Sequence, residues 1–241
     1  MMANSKDLLV DPHRDTILNL VRRIEILLSR QASNPHQRIL VALAGVPGSG
    51  KSSISNALIA ELALRDIQHV SVVPMDGFHY TKRVLSTFDD ADRAFRRRGA
   101  PFTFDAQAFV QLVTKLKSTP VTTCLQPEFF LSAPSFDHAT KDPSPDQISI
   151  SSRNRIIIVE GNYTLLNQHP WSNVAAHCEE KWFVDAPLHV VRDRLAKRHL
   201  AAGIENSMQA AVQRAEENDI PNGELIRSML IRPDLIIENG N

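Results

Sequence analysis

Residues 45–52 read Gly-Val-Pro-Gly-Ser-Gly-Lys-Ser and match the pattern G-x-x-x-x-G-K-[ST] at every fixed position. The nearly continuous apolar run 38–44 before them is typical of a strand that is buried on both faces. Residues 53–62 after them have helical spacing, with Ile54 and Leu58 on one face. A strand, a glycine-rich turn and a helix in this order predict an α/β fold that contains a phosphate-binding loop.

The residue types of this loop suit the binding of a nucleoside triphosphate. Glycines allow successive backbone N–H groups to point inward, and the helix N-terminus adds positive potential. We expect Lys51 to reach the β- and γ-phosphates of ATP and the Ser52 hydroxyl to be a ligand of Mg²⁺. A coincidental glycine-rich turn would lack these flanking elements. The predicted nucleotide-binding residues are Gly45, Val46, Pro47, Gly48, Ser49, Gly50, Lys51, Ser52 and Ser53.

Composition narrows the classes of partner. The 241 residues include 27 basic and 27 acidic side chains, and this balance argues against nucleic acid or an anionic membrane as a partner. The two cysteines fit a reducing compartment and have no metal-ligand spacing. No apolar run approaches the ~20 residues of a membrane span, and residues 1–7 lack the apolar core of a signal peptide. We expect a cytoplasmic monomer or homodimer.

Strand-type and helix-type segments alternate along the chain, which predicts one domain over residues 1–241 with a parallel sheet covered on both faces. Residues 1–37 form a helical extension in this prediction, and residues 78–104 are mainly loop with about one helical turn. Residues 119–145 are irregular or form short antiparallel strands, and residues 218–223 form a turn-rich connection. The predicted helices are 11–30, 53–62, 105–117, 187–202 and 207–218. The predicted strands are 38–44, 69–75, 148–150 (an edge strand), 155–159, 181–185 and 234–238.

Two predicted strands end in an acid followed by glycine, at Asp76-Gly77 and Glu160-Gly161. Ligands of a parallel sheet bind at the carboxyl ends of its strands, where the phosphate loop also lies. One acid would hold the metal ion and the other would accept the proton of an attacking hydroxyl group. Each pair taken alone fits a plain turn or a solvated strand end equally well. The shared edge favours the catalytic interpretation.

Together with the loop, residues 74–80 (PMDGFHY) and 159–163 (VEGNY) resemble the uridine kinase, phosphoribulokinase and bacterial pantothenate kinase family over about residues 38–240. The resemblance implies a P-loop NTPase-type sheet with helices on both faces, a helical lid, and transfer of the ATP γ-phosphate to a small-molecule alcohol. It places Asp76 at the catalytic carboxylate of the family and Glu160 at an acid near Mg²⁺.

Two further segments resemble parts of uridine kinases. Residues 101–105 (PFTFD) are similar to their H-P-x-x-F-D segment, and residues 134–138 (PSFDH) to the P-x-Y-D segment of the acceptor pocket. The implied acceptor is a nucleoside such as uridine or a related metabolite, with a pantothenate- or sugar-type compound as the alternative. The predicted substrate-binding residues are Asp76, His79, Tyr80, Arg98, Phe136, His138, Glu160 and Tyr163.

The chain departs from uridine kinases in this pocket. Phe136 replaces the tyrosine of the P-x-Y-D segment, and Lys141 and Pro143 replace a histidine and an arginine that contact the base. These departures place the chain nearer to a uridine kinase-like branch with a less defined acceptor. His79 would either contact the acceptor or pack under its loop. The cluster 96–98 would either bind an anionic acceptor or cover a loop.

A basic helix follows Pro187 and is interrupted at Gly203, which is how P-loop kinases build a lid, here around residues 192–206. Arg194 and Arg198 are four residues apart and share a face, from which they would neutralise the transferring phosphate; Arg192 is offset. A solvated basic face is the alternative. Asn222 would contact the adenine base or serve as a turn residue.

A nucleotide-dependent switch or NTPase without an alcohol acceptor would use the same loop. The long segments 78–104 and 119–145 lie where a kinase builds its acceptor pocket, and they favour a kinase.

Overall fold

The computed structural model describes residues 14–137 and 139–240. The strands are β1 Ile39–Gly45, β2 Val70–Pro74, β3 Phe130–Asp137, β4 Asp142–Ser151, β5 Ile156–Glu160, β6 Glu180–Asp185 and β7 Leu235–Glu238. The helices are α1 Arg14–Ala32, α2 Lys51–Leu64, α3 Lys82–Leu85, α4 Ala91–Arg96, α5 Ala106–Ser118, α6 Ser172–Ala176, α7 Leu188–Ala201, α8 Met208–Arg214 and α9 Ile220–Ser228. Within this described part of the chain, no helix is long and apolar enough to cross a membrane.

Five strands form a parallel sheet in the order β2-β5-β1-β6-β7, which confirms the predicted α/β fold class. All seven residues of the central strand β1 are buried, as its unbroken apolar sequence predicts. The register places Glu160 opposite Leu43 on one side and opposite Pro74 on the other. The phosphate loop, Asp76 and Glu160 therefore meet at one edge of the sheet.

The sheet separates two apolar cores because successive side chains of each strand point to opposite faces. Leu40, Ala42 and Ala44 of β1 join the core that contains α5 and residues of α7 and α9. Ile39, Val41 and Leu43 join the core that contains the apolar faces of α1 and α2. This two-sided burial fixes β1 in place and, with it, the loop that follows the strand.

Several predicted segments differ from the structure. Residues 78–104, predicted as mainly loop, contain α3 and α4, which are capped by the side chains of Thr81 and Asp90. Residues 148–150 are not an edge strand of the main sheet but belong to β4, which pairs with β3 in a separate antiparallel hairpin. The short helix α6 was not predicted. The predicted cap and first residue of α1, Asp11 and Pro12, lie outside the described residues.

The prediction of a turn-rich connection over 218–223 is wrong. A π-helical segment, Ala215–Asp219, continues directly from α8 into α9, and Pro221 lies in the first turn of α9. Pro221 has no N–H to donate, and it directly follows the π-helical segment, where the Ile220 N–H donates to the Ala215 carbonyl and the hydrogen-bond register of the helix changes. The asparagines and the proline of this segment therefore do not interrupt the helix.

Candidate active site

The phosphate loop joins β1 to α2 and depends on its glycines. Gly48 and Gly50 have φ angles of 75° and 86°, in the left-handed region that favours glycine. A Cβ atom on Gly50 would lie 2.4 Å from Nδ2 of Asn239, which itself donates a hydrogen bond to the Ser49 carbonyl at 2.6 Å. Any larger residue at position 50 would push this asparagine away and loosen the loop.

Arg194 lies on α7 and supports the phosphate loop from behind. Its guanidinium donates to the carbonyl oxygens of Gly48 and Ser49, each at 3.4 Å, and of Asn239 at 3.1 Å. The structure therefore places Arg194 against the backbone of the loop, not among the residues that line the cleft in front of it. Neither this contact nor Asn239 was predicted, because no motif spacing connects β7 to the loop.

Lys51, Ser52 and Glu160 form the polar group at the sheet edge. The Ser52 hydroxyl donates to Oε1 of Glu160 at 2.8 Å, and Glu160 is only 8% exposed. Burial raises the pKa of Glu160, while the Lys51 ammonium and the Ser52 hydrogen bond act in the opposite direction. Burial lowers the pKa of Lys51, and the carboxylates of Glu160 and Asp76 oppose that shift. The charges of Lys51 and Glu160 thus act on each other, and the Ser52 hydrogen bond acts on Glu160.

In front of these residues lies a cleft of about 390 Å³. It extends from the phosphate loop across the carboxyl end of β2, and residues from α7 to α9 form its opposite wall. Asp76 is exposed at its floor, in the 3₁₀ turn that follows β2. The predicted site residues that line the cleft are Pro47, Lys51, Asp76, His79, Arg98, Phe136, Arg198 and Asn222.

An aromatic wall forms one side of the cleft. The ring of His79 lies between Phe104 and Phe136, with centroid distances of 3.9 and 4.8 Å. Its Nδ1 donates to the backbone oxygen of Asp76 at 2.7 Å, which fixes the ring relative to the catalytic candidate. Burial lowers the pKa of His79, although the charge of Asp76 opposes the shift. A neutral imidazole therefore suits this position.

Arg98 connects the aromatic wall to the β3–β4 hairpin. Its guanidinium donates to the carbonyl oxygens of Lys141 at 2.6 Å and Tyr80 at 3.0 Å, and it pairs with Asp142 at 2.9 Å. It also lies 5.6 Å from the ring centre of Phe136. Arg98 therefore anchors the hairpin beside the cleft.

Arg198 reaches the cleft from the last turn of α7. It pairs with Asp219 of the π-helical segment at 3.5 Å and keeps 58% of its side chain exposed. The buried neighbour His199 contacts the other oxygen of Asp219 at 2.9 Å. Arg192 points elsewhere and pairs with Glu216 on the surface. Of the arginines on this helix, Arg198 has the position that the lid prediction requires.

Three predicted substrate residues, Glu160, Tyr163 and Tyr80, do not line the cleft, and a fourth, His138, lies outside the described residues. Tyr163 is fully buried, donates its hydroxyl hydrogen to the Gly99 carbonyl and packs near Trp171; burial also raises its pKa. Tyr80 packs on Phe88 and lines a neighbouring groove. His138 is not among the described residues. In this structure, neither tyrosine offers its hydroxyl to the cleft.

Besides the predicted Asn222, several residues reach the cleft that the sequence did not predict. Asn222 does line the cleft, but its side-chain oxygen accepts a hydrogen bond from Arg97 at 3.1 Å. Asp219 and Arg214 come from helices whose sequences carry no motif. Asn162 lies inside the VEGNY segment, and its buried side-chain oxygen has no hydrogen-bond partner among the described residues. Its position two residues after Glu160 was the available signal.

A sequence model described as the Phosphoribulokinase / Uridine kinase family matches residues 40–218, which span the phosphate loop, Asp76, Glu160 and α7. The chain belongs to this family. It is therefore a P-loop kinase, as the motifs predicted. A protein of Schizosaccharomyces pombe named "Putative uridine kinase C227.14" is 39% identical over 203 residues, which are 84% of this chain and 83% of that protein.

Two solved structures are similar to this kinase over nearly its full length. YFH7 from Saccharomyces cerevisiae superposes with a TM-score of 0.77 at 26% identity and covers 93% of this chain and 99% of its own. A "putative fructose transport system kinase" from Silicibacter sp. TM1040 has a TM-score of 0.75 at 33% identity, and the match covers 91% of this chain and 98% of that chain. Since the Schizosaccharomyces pombe protein is named for uridine and the Silicibacter protein for fructose, family membership leaves the acceptor open.

Proposed function

We propose that this kinase transfers the γ-phosphate of ATP to a hydroxyl group of a small molecule that binds in the cleft. The observation that supports this most strongly is the continuity of the cleft, in which Lys51 of the phosphate loop and the exposed Asp76 share one cavity with an aromatic wall. A site built only for hydrolysis needs room for water, whereas this cavity has the volume of a small-molecule site.

The donors at the sheet edge fit Mg²⁺ as the companion ion of ATP. The Ser52 hydroxyl and the Glu160 carboxylate are 2.8 Å apart, and both are hard oxygen ligands of the kind that Mg²⁺ prefers. The described residues contain no group of three His, Cys, Asp or Glu side chains suited to a metal ion, so these two would act together with phosphate oxygens and water. Bound Mg²⁺ would offset negative charge on the phosphates.

In the proposed reaction, Asp76 accepts the proton of the acceptor hydroxyl group. The hydroxyl oxygen forms a bond to the γ-phosphorus of ATP, and the bond between that phosphorus and the β–γ bridging oxygen breaks. Lys51 binds the β- and γ-phosphates, and Arg198 neutralises the charge of the transferring group. Asp219 holds Arg198 in the structure described, so the arginine would exchange this carboxylate for phosphate when residues 192–206 close over ATP. ADP and the phosphorylated acceptor then leave the cleft. The proton stays on Asp76 or passes to water.

Removal of the Arg194 side chain and removal of the Arg198 side chain should have different effects. We expect Arg198→Ala to lower kcat about 10²–10³-fold with a smaller change in the KM for ATP, because its contact strengthens in the transition state. Arg194→Ala should instead weaken ATP binding and lower the thermal midpoint, since it releases the loop carbonyls. Steady-state kinetics and thermal denaturation measure both effects. Arg192→Ala is the matched control, and equal effects in all three variants would contradict the assignment.

For the acceptor, we propose a nucleoside such as uridine or a related metabolite, consistent with the flat aromatic wall at His79 and Phe136. A pantothenate- or sugar-type alcohol is the second candidate, favoured by Lys141 at the position of a base-contacting histidine. Release of ADP in the presence of uridine, pantothenate or fructose, each compared with ATP alone, tests these acceptors. Equal ADP release with and without every acceptor would favour an NTPase.

A further inference from the structure

The turn between β3 and β4 places Lys141 at the rim of the cleft in an unusual backbone conformation. Its φ angle is 56°, in the left-handed region that residues other than glycine, asparagine and aspartate rarely adopt. Its side chain is half-buried and lines the cleft. Strained residues of this kind are concentrated at functional sites, where the surrounding structure holds them in place.

Neighbouring residues hold this conformation through several contacts. Arg98 donates to the Lys141 carbonyl at 2.6 Å and pairs with the adjacent Asp142. The backbone N–H of Lys82 donates to the same Asp142 carboxylate at 2.9 Å, and the Lys82 ammonium donates to the Thr140 carbonyl at 2.7 Å. The turn is thus tied to α3 and to the end of α4. These contacts use the backbone of Lys141 and leave its ammonium group available.

The charges around the cleft distinguish Lys141 from its neighbours. Lys51 is coupled to Glu160 and Asp76, and the three arginines that line the cleft each pair with a carboxylate. Those pairs are Arg98–Asp142, Arg198–Asp219 and Arg214–Glu205. Among residues 14–137 and 139–240, no ion pair includes Lys141, although aspartates occur at positions 137, 142 and 146 of the same hairpin. In that part of the chain, the half-buried Lys141 therefore has no ion-pair partner.

We propose that Lys141 is an anion-binding residue at the acceptor end of the cleft, positioned by Arg98, and that the acceptor is an alcohol carrying a carboxylate or phosphate group. This inference rests on the proposed phosphoryl transfer and, between its two candidate acceptors, favours an anionic alcohol of the pantothenate type over a neutral nucleoside. A neutral nucleoside would cover the ammonium without supplying a counter-charge, which costs binding free energy. An anionic group would supply that charge beside Phe136, while Asp76 faces the hydroxyl group.

Binding without turnover tests the subsite. The protein is saturated with Mg²⁺ and a non-hydrolysable ATP analogue, which fills the phosphate loop, and is then titrated calorimetrically with glycerol, glycerate and glycerol 3-phosphate. These probes share one carbon skeleton and differ in charge. We expect at least one anion to bind about 10–100-fold more tightly than glycerol, the range of a charge-assisted hydrogen bond. If glycerate binds more tightly, the anionic group of the acceptor is a carboxylate; if glycerol 3-phosphate binds more tightly, it is a phosphate.

Variants at position 141 separate charge from shape. Lys141→Asn removes the charge but tolerates the left-handed backbone, and it should abolish the preference for the anion. Lys141→Arg should retain the preference. The matched control is Lys115→Asn at an exposed position of α5, which should bind as the wild type does. Equal binding of glycerol and both anions, no binding of either anion, or a preference that survives Lys141→Asn would each overturn the proposal.

The same titrations distinguish this inference from the proposed function. If anions bind through Lys141 but no acceptor is ever phosphorylated, the subsite stands and the proposed kinase function fails. If neutral uridine is phosphorylated efficiently and Lys141→Asn leaves its KM unchanged, the kinase function stands and the anion subsite fails.

Discussion

Replacing Asp76 by Asn lowers the rate of phosphoryl transfer about 10²–10⁴-fold while ATP still binds, because the amide keeps the shape of the side chain but accepts no proton. Asp76 is exposed at the floor of the cleft, and its backbone oxygen holds His79, so the substitution leaves that hydrogen bond in place. Single-turnover transfer to an identified acceptor measures the chemical step, and calorimetry measures ATP binding.

Asp89→Asn is the matched control, since Asp89 is an exposed acid of the loop between α3 and α4. It should transfer phosphate at the wild-type rate. Near-native transfer in Asp76→Asn would show that Asp76 is structural, and Glu160 would become the candidate for the proton acceptor.

Replacing Lys51 by Ala removes nearly all nucleotide-dependent activity and weakens ATP binding. Lys51 begins α2 and is the cation of the phosphate loop, where it shares the sheet edge with Glu160 and Asp76. Without the ammonium, the two carboxylates repel the triphosphate, so we expect the loss in ATP affinity to be about 10-fold or more. Calorimetric titration with ATP in the presence of Mg²⁺ measures this loss.

The fold should survive the Lys51→Ala substitution, because alanine is the most favourable residue in a helix and Lys51 contributes no apolar packing to the two cores. Circular dichroism checks the helical content. Lys115→Ala, at an exposed position of α5, controls for the loss of one lysine. An unchanged ATP affinity in Lys51→Ala would defeat the assignment of the phosphate loop.

The sequence was sufficient for the sheet edge because local patterns determine it. The apolar runs identify strands buried on both faces, and parallel strands align their carboxyl ends. The acids at the carboxyl ends of β2 and β5 therefore had to approach the loop after β1. The register of Glu160 with Leu43 and Pro74 confirms that reasoning. The glycine-rich loop could also be recognised from its own residues, since Gly48 and Gly50 adopt positive φ angles that favour glycine.

Local sequence patterns could not predict which distant segments contact each other. Arg194 and Arg198 share a helix face, but one turn separates them by about 6 Å along the axis. That rise places one against the loop carbonyls and the other beside Asp219 in the cleft. Likewise, Tyr163 stands in a motif, yet its hydroxyl meets Gly99 in the core. Helical spacing predicts which residues share a face, but not what that face meets.

A screen of a metabolite pool tests the central claim most directly. The kinase is incubated with Mg²⁺, ATP labelled at the γ-phosphate and a mixture of small metabolites, and new phosphorylated species are identified by mass. We predict a labelled product that requires an alcohol from the pool and is lost in Asp76→Asn but kept in Asp89→Asn. Labelled inorganic phosphate as the only product, formed at the same rate with and without the pool, would contradict the account.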